Sequence, residues 1–303
     1  MLRRLLPLLV LVLCTTMPAR AQTPPAAFID LNDDGVYDPT DLPLAPFLTP
    51  DSIGFNAYVA QGGYKPTGRP VGVVIQSRFL VGTGVYHQVI VSGHVRVHGD
   101  IVATRNETAL AFITLGGDVD LAPGVSLSGR GDLSFQALQG GRIDVGDGVQ
   151  LATRGDLAAV ALDSDGPLTI GSNLHCTLRG GGYATVEVIA RDDLSLGGGL
   201  VFRAPAHGAL RMIVNGNLDL ADANVRAGYI DLEANSDAAH PTGAYVHVKD
   251  SSLWQIYRNG DFRILAGVNQ RTQTFAPDAI VLDHTVVRLK DDLPLYVPEP
   301  LIR

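Results

Sequence analysis

The feature that most constrains this chain is a short strand signal that returns at a nearly constant interval. Val95-Arg96-Val97 is followed by Val119-Asp120-Leu121, Ile143-Asp144-Val145, Leu168-Thr169-Ile170, Leu194-Ser195-Leu196 and Leu218-Asp219-Leu220. Successive starts lie 24, 24, 25, 26 and 24 residues apart. A second row runs beside the first: Val125-Ser126-Leu127, Val149-Gln150-Leu151, Leu174-His175-Cys176 and Leu200-Val201-Phe202. A third comprises Leu110-Ala111-Phe112, Leu133-Ser134-Phe135, Leu157-Ala158-Ala159, Val186-Glu187-Val188, Leu210-Arg211-Met212 and Ile230-Asp231-Leu232. Most triplets place apolar residues on either side of a polar one, the period-two pattern of a strand with one buried face.

Three short strands in each repeat of about 24 residues predict an all-β fold, a right-handed parallel β-helix. One coil cannot bury its own apolar side, whereas stacked coils share a continuous core. The pattern turns Arg96, Asp120, Asp144, Ser126, Gln150, Glu187 and Asp231 outward. An antiparallel sandwich also has short, regularly spaced strands. The steady period and the scarcity of Asn-Gly hairpin turns favour the solenoid. About seven coils are expected over residues 71–250, starting near Val71-Gly72-Val73, taking in Val89-Ile90-Val91 and reaching Tyr245-Val246-His247-Val248. Residues 22–70 form an N-terminal segment and cap. Residues 251–303 lose the period and are read as a C-terminal cap and tail, with strands near Ser251 to Tyr257 and Ala279 to Leu289. Period and composition over 71–250 resemble β-helices of the adhesin and filamentous-haemagglutinin type, and that resemblance implies a surface-displayed or adhesive role.

The chain opens Met1-Leu2-Arg3-Arg4, continues through an apolar run from Leu5 to Leu13, and reaches Ala19-Arg20-Ala21 before Gln22. Basic, apolar and cleavable regions in that order predict a secretory signal peptide over residues 1–21. The run is too short to cross a bilayer, which takes roughly 20 residues. Cys14 suggests a lipid-anchor site, but Leu13 stands where a small residue is required. Loss of residues 1–21 removes Arg3, Arg4 and Arg20 and no acid, taking the net charge from −8 to −11. Such an acidic chain is expected to be secreted or cell-surface (the periplasm being the other possibility), to lack a transmembrane segment and to avoid nucleic acid. Only Cys176 then remains, so an intrachain disulfide is excluded. Val297-Pro298-Glu299-Pro300 resembles the start of a PEP-type sorting signal, without the apolar segment and basic end that follow in such signals.

Residues Asp30-Leu31-Asn32-Asp33-Asp34-Gly35-Val36-Tyr37-Asp38-Pro39-Thr40-Asp41 carry the strongest local motif. Oxygen side chains fall at positions one, three, five, nine and twelve, and glycine sits at position six, where the chain must turn sharply. The predicted calcium ligands are Asp30, Asn32, Asp34, Asp38 and Asp41, with the backbone carbonyl of Val36. The loop resembles a dockerin half-site of the EF-hand type, with Asp at position twelve and with Asp41-Leu42 opening the next segment. A dockerin has two such loops and a following helix. Here there is one loop, and Pro43, Pro46 and Pro50 oppose the helix, so a cohesin partner is not expected. Calcium would act structurally.

Arg105, Arg130, Arg154, Arg179, Arg203 and Arg226 recur 25, 24, 25, 24 and 23 residues apart. This spacing places them at one corner, just after the second strand, in six successive coils. Glu107, Asp132 and Asp156 lie two residues beyond the first three; the others have no acid at that offset. One reading is a solvated ladder paired to acids such as Asp192 and Asp193. The other is a basic stripe for an extended acidic polysaccharide, since guanidinium forks suit carboxylate, sulfate or phosphate. Arg130-Gly131-Asp132 and Arg154-Gly155-Asp156 are read as turn chemistry rather than integrin-binding tripeptides.

A polysaccharide lyase or glycoside hydrolase would need carboxylates converging on one groove. The candidates are Arg191-Asp192-Asp193, Asp163-Ser164-Asp165 and His94 with His98, none expected to align with acids of an adjacent coil. His175 and Cys176 should point to opposite faces, leaving Cys176 as a small buried residue. Three functions therefore stay open: a secreted or surface structural and binding protein, a polysaccharide-cleaving enzyme, and a scaffold in a larger surface assembly. An acid cluster spanning two coils would favour the enzyme, an exposed arginine row the binder, and an apolar uncapped end the assembly.

Overall fold

A computed structural model describes residues 23–48 and 70–290, apart from 83, 85, 106–107, 155–157, 181–183, 236–243 and 269–278, together with 301–302. The described residues form a β-solenoid of about seven turns with almost no helix. Each row of the sequence pattern becomes a sheet. Sheet 1 has 12 strands, sheet 2 has nine and sheet 3 has eight. Strands of successive coils pair in parallel, as in Val95↔Val119 on sheet 1, Leu127↔Leu151 on sheet 2 and Leu110↔Leu133 on sheet 3. The segments expected to be a signal peptide and a sorting signal lie outside the described residues. Among the described residues no helix is long and apolar enough to cross a membrane.

The core is a set of stacked columns. On sheet 2 the inward column runs Ile101, Leu127, Leu151, Cys176, Phe202, Val225 and Leu253, each at most 1% exposed. On sheet 3, Phe112 and Phe135 stack at 5.4 Å between ring centroids and 13° between planes. Each such side chain contributes about 1.5–3 kcal/mol by leaving water. Cys176 is wholly buried, and that burial pushes its thiol up to about 12. All seven residues predicted to face outward are exposed or half-exposed.

Two details differ from the sequence reading. The third-row strand of the middle coil runs Ala158–Ser164 and sets Val160, not Leu157, level with Leu133. The strands expected near 251–257 and 279–289 are present as Ser252–Gln255, Ile280–Asp283 and Val286–Arg288, and they stack parallel on the coils before them. The period vanishes there because the turns lengthen. Leu218 pairs with Val246, 28 residues on, and Val246 with Ile280, 34 residues on. Buried Gln255 stitches these coils, donating to Gly228 O at 2.9 Å and accepting from Lys290 N at 3.1 Å.

At the other end, Ala27–Asp30 lies antiparallel on Gly72–Ile75, and Leu42–Pro43 lies antiparallel on it in turn. This cap occupies the free edge of sheet 1, and Leu44 and Leu48 close the core beneath it. Replacing Phe135 by Ala should lower unfolding free energy by about 3–5 kcal/mol, measured by urea denaturation, because a dry column cannot collapse around the cavity.

Candidate functional site

Parallel register places the predicted arginines more finely than spacing can. Ala103, Gly129, Thr153 and Leu178 share one level on sheet 2. Arg130, Arg154 and Arg179 each follow that level by one residue and form a true corner column. Their amides donate to Ala103 O, Gly129 O and Thr153 O of the preceding coil at 3.0, 2.8 and 2.9 Å. Arg105 lies one position further along. Arg203 and Arg226 are not at the corner: Arg203 is the last residue of strand Val201–Arg203 and Arg226 lies within strand Asn224–Ala227, level with each other and with Thr177. The single corner column expected from spacing is therefore two groups, one on the corner and one on the face of sheet 2. Both groups are exposed.

The two groups meet at an open groove of about 410 Å³, where Arg179, Arg203 and Arg226 stand over Ala204, Pro205, Ala206 and Ile256. The face column continues past Arg226 to Trp254 and Arg288. Neither is legible from spacing, because the lengthened turns hide the match between Asn224-Val225-Arg226 and Ser252-Leu253-Trp254. The Arg226 guanidinium carbon lies 4.8 Å from the Trp254 ring centroid.

Charge is distributed very unevenly among the sheets. On sheet 3, Glu187, Arg211, Asp231 and Arg263 occupy one column in consecutive coils and pair at 2.6, 3.5 and 2.7 Å. On sheet 1, Arg142 bridges Asp118 at 3.3 Å and Asp144 at 3.0 Å. None of the nine strands of sheet 2 contains Asp or Glu. Among the described residues, the expected pairing of the arginine row with acids is not seen: Asp132 instead accepts the Ala159 amide at 2.8 Å. Glu107 and Asp156 lie outside the described residues. Gly131 has its own explanation, since a Cβ there would sit 1.7 Å from the Thr108 carbonyl oxygen of the coil below.

The residues predicted as calcium ligands lie in a tight turn. Gly35 has φ +80°, and its amide donates to Asp30 Oδ2 at 2.7 Å. Asp41 accepts the amides of Leu31 and Asp38 at 2.9 and 2.8 Å. Asn32 Nδ2 lies 2.9 Å from Asp34 Oδ2 and 3.4 Å from Asp38 Oδ2, so three side chains converge. Burial raises the Asp41 carboxyl, and the charges of Asp38 and Asp30 add to it. Val36 is exposed. As the side chains stand, no three His, Cys, Asp or Glu among the described residues are gathered to hold a metal ion. The donor set nevertheless has the composition that a hard cation takes, all oxygen once the Asn32 amide presents its Oδ1.

Asp33, at position four, has a different task. Its carboxylate is almost wholly buried and accepts the His94 amide at 3.0 Å and Arg96 Nη1 at 2.8 Å, with His94 Nδ1 at 2.7 Å. It thereby fastens the loop to sheet 1.

Comparison with family models, curated proteins and solved structures found no match. The adhesin and dockerin resemblances thus rest on the period and the loop spacing.

The enzyme candidates differ from expectation in one respect: two of them do align with acids of an adjacent coil. His94 Nε2 lies 3.8 Å from Asp118, and Arg191 Nε lies 3.0 Å from Asp165. Asp165 also accepts the Gln139 amide, and Asp193 the Asn217 amide, so both carboxylates act as turn braces. Asp120 and Asp144 stack in register on sheet 1. Burial raises the Asp120 carboxyl, and repulsion from Asp144 and Asp118 raises it further. A raised folded-state value means the native protein binds the proton more tightly, so this group's contribution to stability falls as pH rises through that window. Asp120→Asn should therefore raise the melting temperature at pH 7, with the gain shrinking as pH falls into the acidic carboxyl range, measured by calorimetry across pH.

Proposed function

We propose that the chain is a secreted or cell-surface structural and binding protein, and that the outer face of sheet 2 holds an acidic polysaccharide. The observation that carries this reading is a sheet whose strands contain no Asp or Glu, and whose arginines have no acid partner among the described residues, on a chain of net charge −8. Unit charges about 4 Å apart repel by about 1 kcal/mol even in water. Neighbouring rungs, about 4.8 Å apart, keep such repulsion along the row. A polyanion lying across the coils would remove it and would meet preorganised forks. The secretory N-terminal pattern supports a location where such polymers occur.

We further propose that a calcium ion in the Asp30–Asp41 loop would rigidify the cap, held by Asp30, Asn32, Asp34, Asp38, Asp41 and the Val36 carbonyl. The crowding of Asp30, Asp38 and Asp41 supports this, since a cation offsets their repulsion. A second reading, a polysaccharide-cleaving enzyme, draws support from the stacked Asp120 and Asp144 beside Asp118 and His94.

Electrophoresis through gels cast with acidic or neutral polysaccharide tests the main reading. Retardation is expected in the acidic gel alone, and an Arg203→Glu, Arg226→Glu variant should migrate freely. Unchanged migration in every gel overturns the proposal, and cleared polymer behind the band establishes the enzyme instead. For calcium, a concentration 100 times the dissociation constant should add about 2.7 kcal/mol to stability. Asp30→Ala should remove that shift in a thermal melt.

A further inference from the structure

We propose that the ligand of sheet 2 is an anionic glycan, with one sugar ring stacked on Trp254 and its carboxylates or sulfates forked by Arg203, Arg226 and Arg288. This rests on reading that face as an acidic-polysaccharide site and adds what the polymer must be made of. The register lines up Thr177, Arg203, Arg226, Trp254 and Arg288, one per coil, on a single outward column. At about 4.8 Å per coil the row is about 19 Å long and parallel to the solenoid axis. It is held on strands rather than loops, so its members are positioned before any ligand arrives.

Trp254 is the unexpected member. It is the chain's one tryptophan, and it stands 39% exposed between cationic rungs instead of joining the core. Arg226 lies against its ring, which limits the motion of both side chains. The groove beside it pairs guanidinium groups with Ala204, Pro205, Ala206 and Ile256. This mixture of apolar surface and fixed positive charge matches a ligand that itself mixes the two. An inorganic polyanion would use the arginines and leave the ring idle. A neutral glycan would use the ring and leave the arginines uncompensated. A charged sugar polymer uses both, because a pyranose has an apolar C–H face and its acidic substituent projects from the ring edge. Single-stranded nucleic acid also combines charge with flat rings, but proteins that bind it offer aromatic side chains to successive bases. This row has one.

Because Trp254 is the sole tryptophan, its fluorescence reports this site alone. The purified protein would be titrated with polygalacturonate, heparin, polyphosphate, dextran and single-stranded DNA, with calorimetry giving affinities for variants that lack the fluorophore. Polygalacturonate or heparin should shift the emission, the stronger of the two showing whether carboxylate or sulfate is preferred. Trp254→Leu should weaken that binding at least about tenfold while changing polyphosphate affinity less than about twofold. Trp254→Phe, which keeps a ring, should stay within about threefold of the parent. Polygalacturonate and heparin binding unaffected by Trp254→Leu, equal loss in the Leu and Phe variants, or tighter binding of DNA than of either glycan would each overturn the inference while leaving an anion-binding face. Failure of every polyanion to bind would overturn the underlying reading as well.

Discussion

The structure depends on parallel backbone pairing between coils. Each strand finds its hydrogen-bond partners in the coil above and the coil below, so a residue always has counterparts about 4.8 Å away at the same position. That constraint turns side chains into columns, and it forces a choice at each outward column. Sheet 3 alternates sign, and its charges neutralise one another within the molecule. Sheet 1 stacks Asp120 on Asp144 and relieves the crowding with Arg142 placed beside them. The strands of sheet 2 repeat one sign and contain no Asp or Glu. The same ladder that pairs opposite charges on the first two faces sets like charges in register on the third.

The ladder also creates a problem at its ends, where a strand has only one neighbour. The N-terminal cap solves it by reversing direction: Ala27–Asp30 lies antiparallel on Gly72–Ile75, so the stack cannot be extended there by another parallel coil. Asp33 holds the cap down through His94 and Arg96, both belonging to the neighbouring coil. The loop that carries the metal-like spacing is thus joined to the solenoid chiefly through Asp33, the acidic residue that the spacing does not use as a ligand, while Arg96 also reaches Asp30 at 3.7 Å.

Much of this was legible in the sequence, and the reasons for the rest are specific. The fold could be read because period and alternation are properties of every coil, so single errors such as Leu157 for Val160 did not disturb it. The arginine row could not be placed, because a site is decided by register and register drifts. Arg179 and Arg203 are 24 residues apart, yet the coils advance by 26 there, from Thr177 to Arg203. Those two residues of slip carry Arg203 from the corner onto the face. Trp254 and Arg288 were hidden by longer turns, which erase the period while preserving the stack. Asp33 was passed over because its partners, His94 and Arg96, are more than 60 residues away.

Cys176 gives the molecule an internal clock. Its sulfur sits mid-column in the core of sheet 2, with a thiol so weakly acidic that reagents find almost no thiolate in the native state. Modification must wait until the central coils part. The rate at which a thiol reagent labels Cys176 in the folded protein therefore measures how often the middle of the stack opens, independently of fraying at its two ends.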